Sequence, residues 1–191
     1  MSAIANAKIE GEKLTDEFLD GSWLLIIFAG NDTTRNTMSG GVKLLHENQK
    51  QKELLMGDET LLTNFVNETI RCVSPVIHMR RTSLEETEIN GQRIGAHEKI
   101  SLWYGAANRD PDIFKNPNEF NILRENADKH LAFGIGRHTC LGKPIALMQL
   151  KEFYSQFLTR FKDFEMNGDW KVAPNNFVHA IQEMPIKFTP E

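Results

Sequence analysis

The chemistry in this chain concentrates in one stretch. Phe133, Gly134, Ile135, Gly136, Arg137, His138, Thr139, Cys140, Leu141 and Gly142 form a glycine-rich loop that delivers a cysteine to the expected first turn of a helix. A helix N-terminus presents unpaired N–H groups and the positive end of its dipole, and both favour a thiolate over a thiol. Gly134 and Gly136 remove side chains so that backbone can approach a flat ligand, while Phe133 can pack near the sulfur and shield it from water. The plain alternative is a structural cysteine buried beside a glycine turn. Zinc or nucleophile chemistry is less well supported: His130 and His138 are near, but neither a second cysteine pair nor a convincing acid–base partner accompanies them. The other cysteine, Cys72, lies in an unlike context, so no disulfide framework or CxxC zinc site is implied.

Two further groupings have useful spacing. On a helix, Leu25, Ala29, Thr33 and Thr37 share one face at i, i+4 intervals, with Asp32 one residue round from Thr33. A small residue leaves room for a flat cofactor, and an acid beside a hydroxyl can bind O2 and relay protons, because a Thr hydroxyl both donates and accepts. The bland reading is a polar helix side with Thr bonded to its own backbone. Glu68 and Arg71 stand at i, i+3, close enough for a charge-assisted pair; most such pairs are solvated and contribute about 0–1 kcal/mol.

Taken together, the loop meets the needs of a thiolate on haem iron, a ligand that pushes electron density onto the metal and favours O–O cleavage. The decapeptide resembles the haem-ligand signature of the cytochrome P450 family, Phe-Gly-x-Gly-x-x-x-Cys-x-Gly. Ala29 to Thr34 resembles that family's oxygen-binding helix motif, with Asp32 and Thr33 on its acid–alcohol pair, and Glu68-x-x-Arg71 resembles its buried Glu-x-x-Arg signature. The resemblance implies haem b as cofactor, with Cys140 as axial iron ligand, Phe133, Gly134, Gly136 and Ala29 around the haem, and Arg81 and His138 on its propionates. Neighbouring Arg80 leaves the register of Arg81 open. It implies substrate contact by Leu25, Ala29, Val76, Ile77, Met79, Phe177 and Val178, for which ordinary core is the plain alternative. A basic residue expected just before Phe120 is replaced by Glu119, leaving Arg124 or Arg109 as substitutes.

By resemblance the activity is that of a bacterial-type monooxygenase acting on an apolar molecule such as a steroid side chain, terpene or fatty acid. It would draw on O2 and on a ferredoxin-type electron donor with an NAD(P)H-dependent reductase. Residues 1–191 correspond to the C-terminal part of a single domain, with the N-terminal half absent, so a non-catalytic remnant that still binds haem is the second reading.

The elements that must position these residues are mainly α with small β-sheets, an α+β arrangement corresponding to the C-terminal, haem-binding half of the family's fold. Leu14 to about Glu47 reads as one long helix capped by Thr15 or Asp16, weakened at Ala29–Thr34 where a kink would be unsurprising. Glu59 to Cys72 reads as a second helix, closed by Pro75. Strands are expected at Pro75–Met79, at Glu88–Ile89 and Gln92–Ile94 around an Asn90-Gly91 turn, and at Lys99–Tyr104. An irregular ordered stretch from Ala106 to Asn126 has Phe114 and Phe120 to anchor it. A third helix from about Leu141 to Phe161 has Pro144 in its first turn and Leu147, Leu150, Phe153 or Tyr154, Phe157 and Phe161 inward. Two short strands are expected in the tail.

Composition narrows the rest. With 40% hydrophobic and 25% charged residues and a net charge of −4, the chain reads as globular rather than disordered, and nucleic acid is an unlikely partner. The apolar run Trp23–Gly30 is too short to cross a bilayer and the N-terminus carries no signal-peptide pattern, so a cytoplasmic protein with no membrane partner is expected.

Overall fold

In the computed structural model, which describes residues 2–161 and 163–189, a short helix α1 (Ser2–Ala5) and a hairpin, β1 (Lys8–Ile9) and β2 (Glu12–Lys13), lead into the long helix α2 (Asp16–Glu47). Thr15 caps α2, its hydroxyl accepting from Phe18 N at 3.2 Å, with Asp16 and Glu17 beside the positive end of the dipole. The helix runs without a break through Ala29–Thr34. Helix α3 (Gln49–Gly57), which the pattern did not announce, follows, and then a 3₁₀ turn (Glu59–Leu61) runs into α4 (Leu62–Val73). Helix α4 ends at Ser74, whose left-handed φ of 44° precedes Pro75.

The strand expected at Pro75–Met79 is displaced to β3 (His78–Thr82), which pairs antiparallel with β6 (Lys99–Trp103). Pro75, Val76 and Ile77 pair instead with the tail: Val76 bridges Val178, Ile77 N donates to Phe177 O at 2.8 Å, and His179 N donates to Pro75 O at 2.9 Å. Strands β4 (Thr87–Ile89) and β5 (Gln92–Ile94) form the expected hairpin, with Asn90 and Gly91 at φ 50° and 78° supplying the tight turn. Tyr104, expected as the last residue of a strand, opens the short helix α5 (Tyr104–Ala107).

Helix α6 (Lys143–Arg160) starts two residues later than expected, because Gly142 is its N-cap, and Pro144 falls in its first turn, where its missing N–H has no partner to lose. Among the described residues the tail holds four strands rather than two: β7 (Phe164–Met166) pairs with β10 (Ile186–Phe188), and β8 (Lys171–Ala173) with β9 (Ala180–Glu183).

The core lies where the C-terminal half of α2 meets α4 and α6, and it contains Val42, Leu45, Phe65, Val66, Ile70, Leu150 and Tyr154. Of the inward positions expected on α6, Leu150 and Tyr154 are fully buried, while Leu147, Phe153 and Phe157 pack partly exposed against the core. Gly41 permits the close approach of α2 and α6, since a Cβ there would overlap the Tyr154 hydroxyl. That hydroxyl donates to Thr37 O at 2.7 Å.

Candidate active site

Cys140 lies in the loop just ahead of Gly142, the N-cap of α6, rather than within the helix's first turn. A Cβ on Gly142 would lie 3.8 Å from its Sγ, which puts the sulfur close to the helix end where unpaired N–H groups concentrate. The loop is closed by its own backbone: Gly134 N donates to Leu131 O at 2.8 Å, Cys140 N to Phe133 O at 2.8 Å, and Thr139 N to Gly136 O at 3.1 Å. Gly134 and Gly136 take φ values of 67° and 68°, which a side chain would strain. A Cβ on Gly134 would come within 3.2 Å of His138 O, whereas one on Gly136 would meet nothing within 4 Å. Phe133 is half-buried, its ring 5.6 Å from that of His130 and 5.5 Å from the Lys143 ammonium. Burial first, and the Lys143 charge second, push His130 down to about 4, so its imidazole is neutral at ordinary pH.

The two cysteines differ sharply. Cys72 is half-buried beside Glu68, and desolvation followed by the carboxylate charge raises its thiol to about 11. Cys140 is exposed. Among the described residues no group of three or more His, Cys, Asp and Glu side chains could hold a metal ion, so Cys140 is not part of a protein-only metal cluster.

On α2, the Thr33 hydroxyl donates to Ala29 O at 2.9 Å and the Thr37 hydroxyl to Thr33 O at 2.8 Å, while Asn36 Nδ2 donates to Asp32 O at 2.8 Å. The bland expectation, Thr bonded to its own helix, is thus realised, yet the Thr33 oxygen keeps its lone pairs for an incoming donor. Asp32 pairs with Arg35 at 2.7 Å, a partner that sequence spacing alone did not single out although it lies at i, i+3. Leu25 and Ala29 are exposed. Phe28 stacks on Phe177 at 6.1 Å and 17°, which brings the tail against this part of the helix.

Val76, Ile77, Phe177 and Val178 come together through the bonds between the stretch after α4 and the tail, with Val178 buried as a core residue would be. Met79 and Arg81 occupy alternate positions of β3, and both are half-buried, whereas Arg80 is exposed. The Arg81 guanidinium donates to Arg80 O at 3.0 Å. His138 is exposed in the 3₁₀ turn Gly136–His138. Among the described residues no hydrogen bond or ion pair joins the cysteine loop to α2.

Glu68 and Arg71 are both fully buried and doubly bonded, Nε to Oε2 at 2.7 Å and Nη2 to Oε1 at 2.8 Å. Arg71 also donates to Asn108 O, Pro117 O and Glu119 O. The third basic place belongs to Arg124, whose Nε lies 3.1 Å from both Glu68 oxygens and whose other nitrogens donate to Lys115 O, Asn116 O and Glu119 O. Arg109 binds Cys72 O instead. Glu119 therefore contributes its backbone carbonyl to the lock. Phe114 lies under the Arg71 guanidinium at 5.2 Å, as the anchor expected of it.

The residues fit a flat, largely apolar group carrying two acids. An exposed thiol stands in a glycine loop with open space at Gly136, Arg137 and His138 are exposed beside it, and Leu24, Leu25, Ile27 and Phe28 lie exposed on α2. No helix is long and apolar enough to cross a membrane among the described residues.

The family model for cytochrome P450 matches residues 1–189. The chain is 37% identical over 189 residues to cytochrome P450-terp of a Pseudomonas species, covering 99% of this chain and 44% of that one. It is also 37% identical over 193 residues to the steroid C26-monooxygenase of Mycobacterium tuberculosis, covering 100% of this chain and 48% of the relative. A Mycobacterium marinum cytochrome P450 solved in complex with pseudoionone superposes with a TM-score of 0.93 at 38% identity, over 98% of this chain and 45% of that one. The chain spans about half the length of the curated relatives it matches. It belongs to the cytochrome P450 family.

Proposed function

We propose that this chain is the haem-binding part of a monooxygenase that inserts one atom of O2 into an apolar molecule, reducing the other to water with two electrons and two protons. The observation that carries the reading is the exposed Cys140 at the head of α6, held by its own N–H on Phe133 O in a loop whose glycines admit a flat group. Family members bind haem b. When bound, that group supplies the oxygen-activating redox chemistry, which no side chain here supplies by itself.

In this reading Cys140 Sγ would hold the haem iron, Phe133 would shield the sulfur, and Gly134, Gly136 and Ala29 would leave room for the macrocycle. Arg81 and His138 neutralise the propionates. Asp32 and Thr33 deliver protons: the Thr33 hydroxyl, already donating to Ala29 O, accepts from water, and Asp32 passes protons inward when it leaves Arg35. Glu68, Arg71 and Arg124 hold the irregular stretch that backs the site. Leu25, Ala29, Val76, Ile77, Met79, Phe177 and Val178 contact the substrate.

Relatives named for steroid C26, linalool and methyl-branched lipid oxidation support an apolar substrate of steroid, terpene or fatty-acid type. The electrons would come from a ferredoxin-type donor and its NAD(P)H-dependent reductase, in the cytoplasm.

The test is optical. Reconstituted with haem, reduced and exposed to carbon monoxide, the protein is expected to give the red-shifted Soret band of a thiolate-ligated iron, and Cys140→Ser to lose it. A Cys140→Ser protein that keeps the band would overturn the assignment.

A further inference from the structure

We propose that Asn108 is the positioning residue for the cysteine loop, the side chain through which the buried Glu68–Arg71 lock fixes where Cys140 stands. Its meaning for the reaction rests on the reading of Cys140 as the ligand; its geometry does not.

Asn108 is fully buried at the end of α5, and a buried amide is costly unless every polar atom finds a partner. Each one does. The side-chain Oδ1 accepts from Leu131 N at 2.6 Å, and Nδ2 donates to the Ser74 hydroxyl at 2.9 Å. The backbone carbonyl accepts from Arg71 Nη1 at 2.8 Å, and the backbone N donates to Tyr104 O at 2.8 Å. Ser74 is itself buried in a left-handed conformation at the end of α4, and its hydroxyl donates to Arg71 O at 2.8 Å. One asparagine thus joins the end of α4, the guanidinium of Arg71 and the residue where the cysteine loop begins.

From Leu131 the tie continues along the backbone. Leu131 O accepts from Gly134 N, which sets the turn that carries Gly134 into positive φ, and the next carbonyl back from that glycine, Phe133 O, accepts from Cys140 N. Moving Leu131 therefore moves the peptide that holds Cys140. The Leu131 end of the tie requires an acceptor at position 108, which Asn or Asp supplies and Ala does not.

The test uses backbone amide exchange on the full chain without haem, followed by the carbon monoxide spectrum with it. Asn108→Ala is expected to speed exchange at Leu131, Gly134 and Cys140 by roughly tenfold, the scale of one lost buried hydrogen bond, while Val66 and Ile70 in the α4 core stay unchanged. Asn108→Asp, which keeps an oxygen toward Leu131 N but loses the donor to Ser74 and buries a charge, is expected to slow exchange at Leu131 and Gly134 relative to Asn108→Ala without fully restoring the parent. Asn64→Ala, which removes comparable ties to Ile122 O and Arg124 O, is expected to leave the loop amides alone. With haem, Asn108→Ala should convert the red-shifted Soret band to the unshifted one, and Asn108→Asp should recover part of it. Unchanged loop exchange in Asn108→Ala, equal loss in Asn64→Ala, or failure of Asn108→Asp to rescue would overturn the proposal. If Asn108→Ala loses its helical circular dichroism, Asn108→Ser, too short to reach Leu131 N, takes its place in the same comparison. A wild-type chain without the red-shifted band would sink the haem-thiolate reading while the exchange data still decide on Asn108.

Discussion

The lock around Glu68 and the face around Cys140 are built on opposite terms. In the lock, the ionic groups are buried and matched donor for acceptor: Glu68 receives Arg71, Arg124 and Asn121 N, and the remaining guanidinium N–H groups end on backbone carbonyls of the irregular stretch. By contrast, Cys140 stands exposed in its loop, and on α2 the consecutive residues Leu24, Leu25, Ile26, Ile27 and Phe28, which point all round the axis, are each exposed, as is Ala29. A lock satisfied internally is a device for holding a shape. Apolar groups that stand exposed in a chain spanning about half its relatives' length are positions for further protein or a bound group to cover. The comparison predicts that stability and chemistry separate by residue, and it can be broken by measurement.

The largest effect belongs to the lock. Glu68→Ala leaves the Arg71 guanidinium, and most of that of Arg124, buried without their carboxylate, which costs about 3–5 kcal/mol. Urea denaturation should show this as a large fall in the midpoint. A loss under about 1 kcal/mol, the range of exposed pairs, would mean that the lock is no stronger than a surface contact.

Next comes acidity. The imidazole of His130 is held at about 4, below its ordinary 6.5, so the unfolded chain binds the proton more readily. Stability linked to His130 is therefore fully present above pH 6.5 and is lost as pH falls toward 4, to a total on the order of 3 kcal/mol. Replacing the ring by Phe removes the proton uptake, so His130→Phe should flatten the stability profile in that window. An unchanged slope would show that the ring beside Phe133 is wetter than its burial implies.

Between α2 and α6 the expected effect is smaller. In Gly41→Ala the new methyl must displace the Tyr154 hydroxyl from the Thr37 and Met38 carbonyls, and such overpacking costs about 1–3 kcal/mol. Thermal unfolding of Gly41→Ala beside Gly30→Ala, where a Cβ meets open space, sharpens the contrast between the two halves of one helix.

What could be read from the sequence follows the same division. The Thr15 cap, the Asn90-Gly91 turn, the i, i+3 pair and the cysteine loop were legible because each is a local pattern whose geometry the spacing fixes. The identity of the third basic residue was not, since Arg124 reaches Glu68 only after the stretch from Asn108 to Asn126 has folded back on α4. The displaced start of β3 has a similar origin: Pro75 to Ile77 are taken by the tail, a hundred residues on, and no local propensity records that choice. The run Trp23–Gly30 is legible as an apolar stretch of helix too short to span a bilayer, and its exposure depends on what surrounds the helix rather than on the run itself. Arg35 stands at i, i+3 from Asp32, a spacing too common on helices to single out one pair.

The smallest stability effect should fall on the residue that matters most to the proposed chemistry. Cys140 is exposed, its backbone N–H on Phe133 O does not depend on the side chain, and among the described residues its sulfur has no charged or hydrogen-bonded partner. Serine is close in size and keeps the glycine turn intact, so without haem Cys140→Ser should unfold within about 0.5 kcal/mol of the parent. With haem present the two proteins should diverge, because a ligand that binds only the native state adds stability in proportion to the logarithm of its concentration over its dissociation constant. The parent should gain midpoint with added haem, and Cys140→Ser should gain less and lack the red-shifted carbon monoxide band. An equal gain in both would place the haem's hold elsewhere on the face. A large loss in Cys140→Ser without haem would do more damage, since it would make Cys140 a structural residue and remove the contrast between the matched lock and the open face.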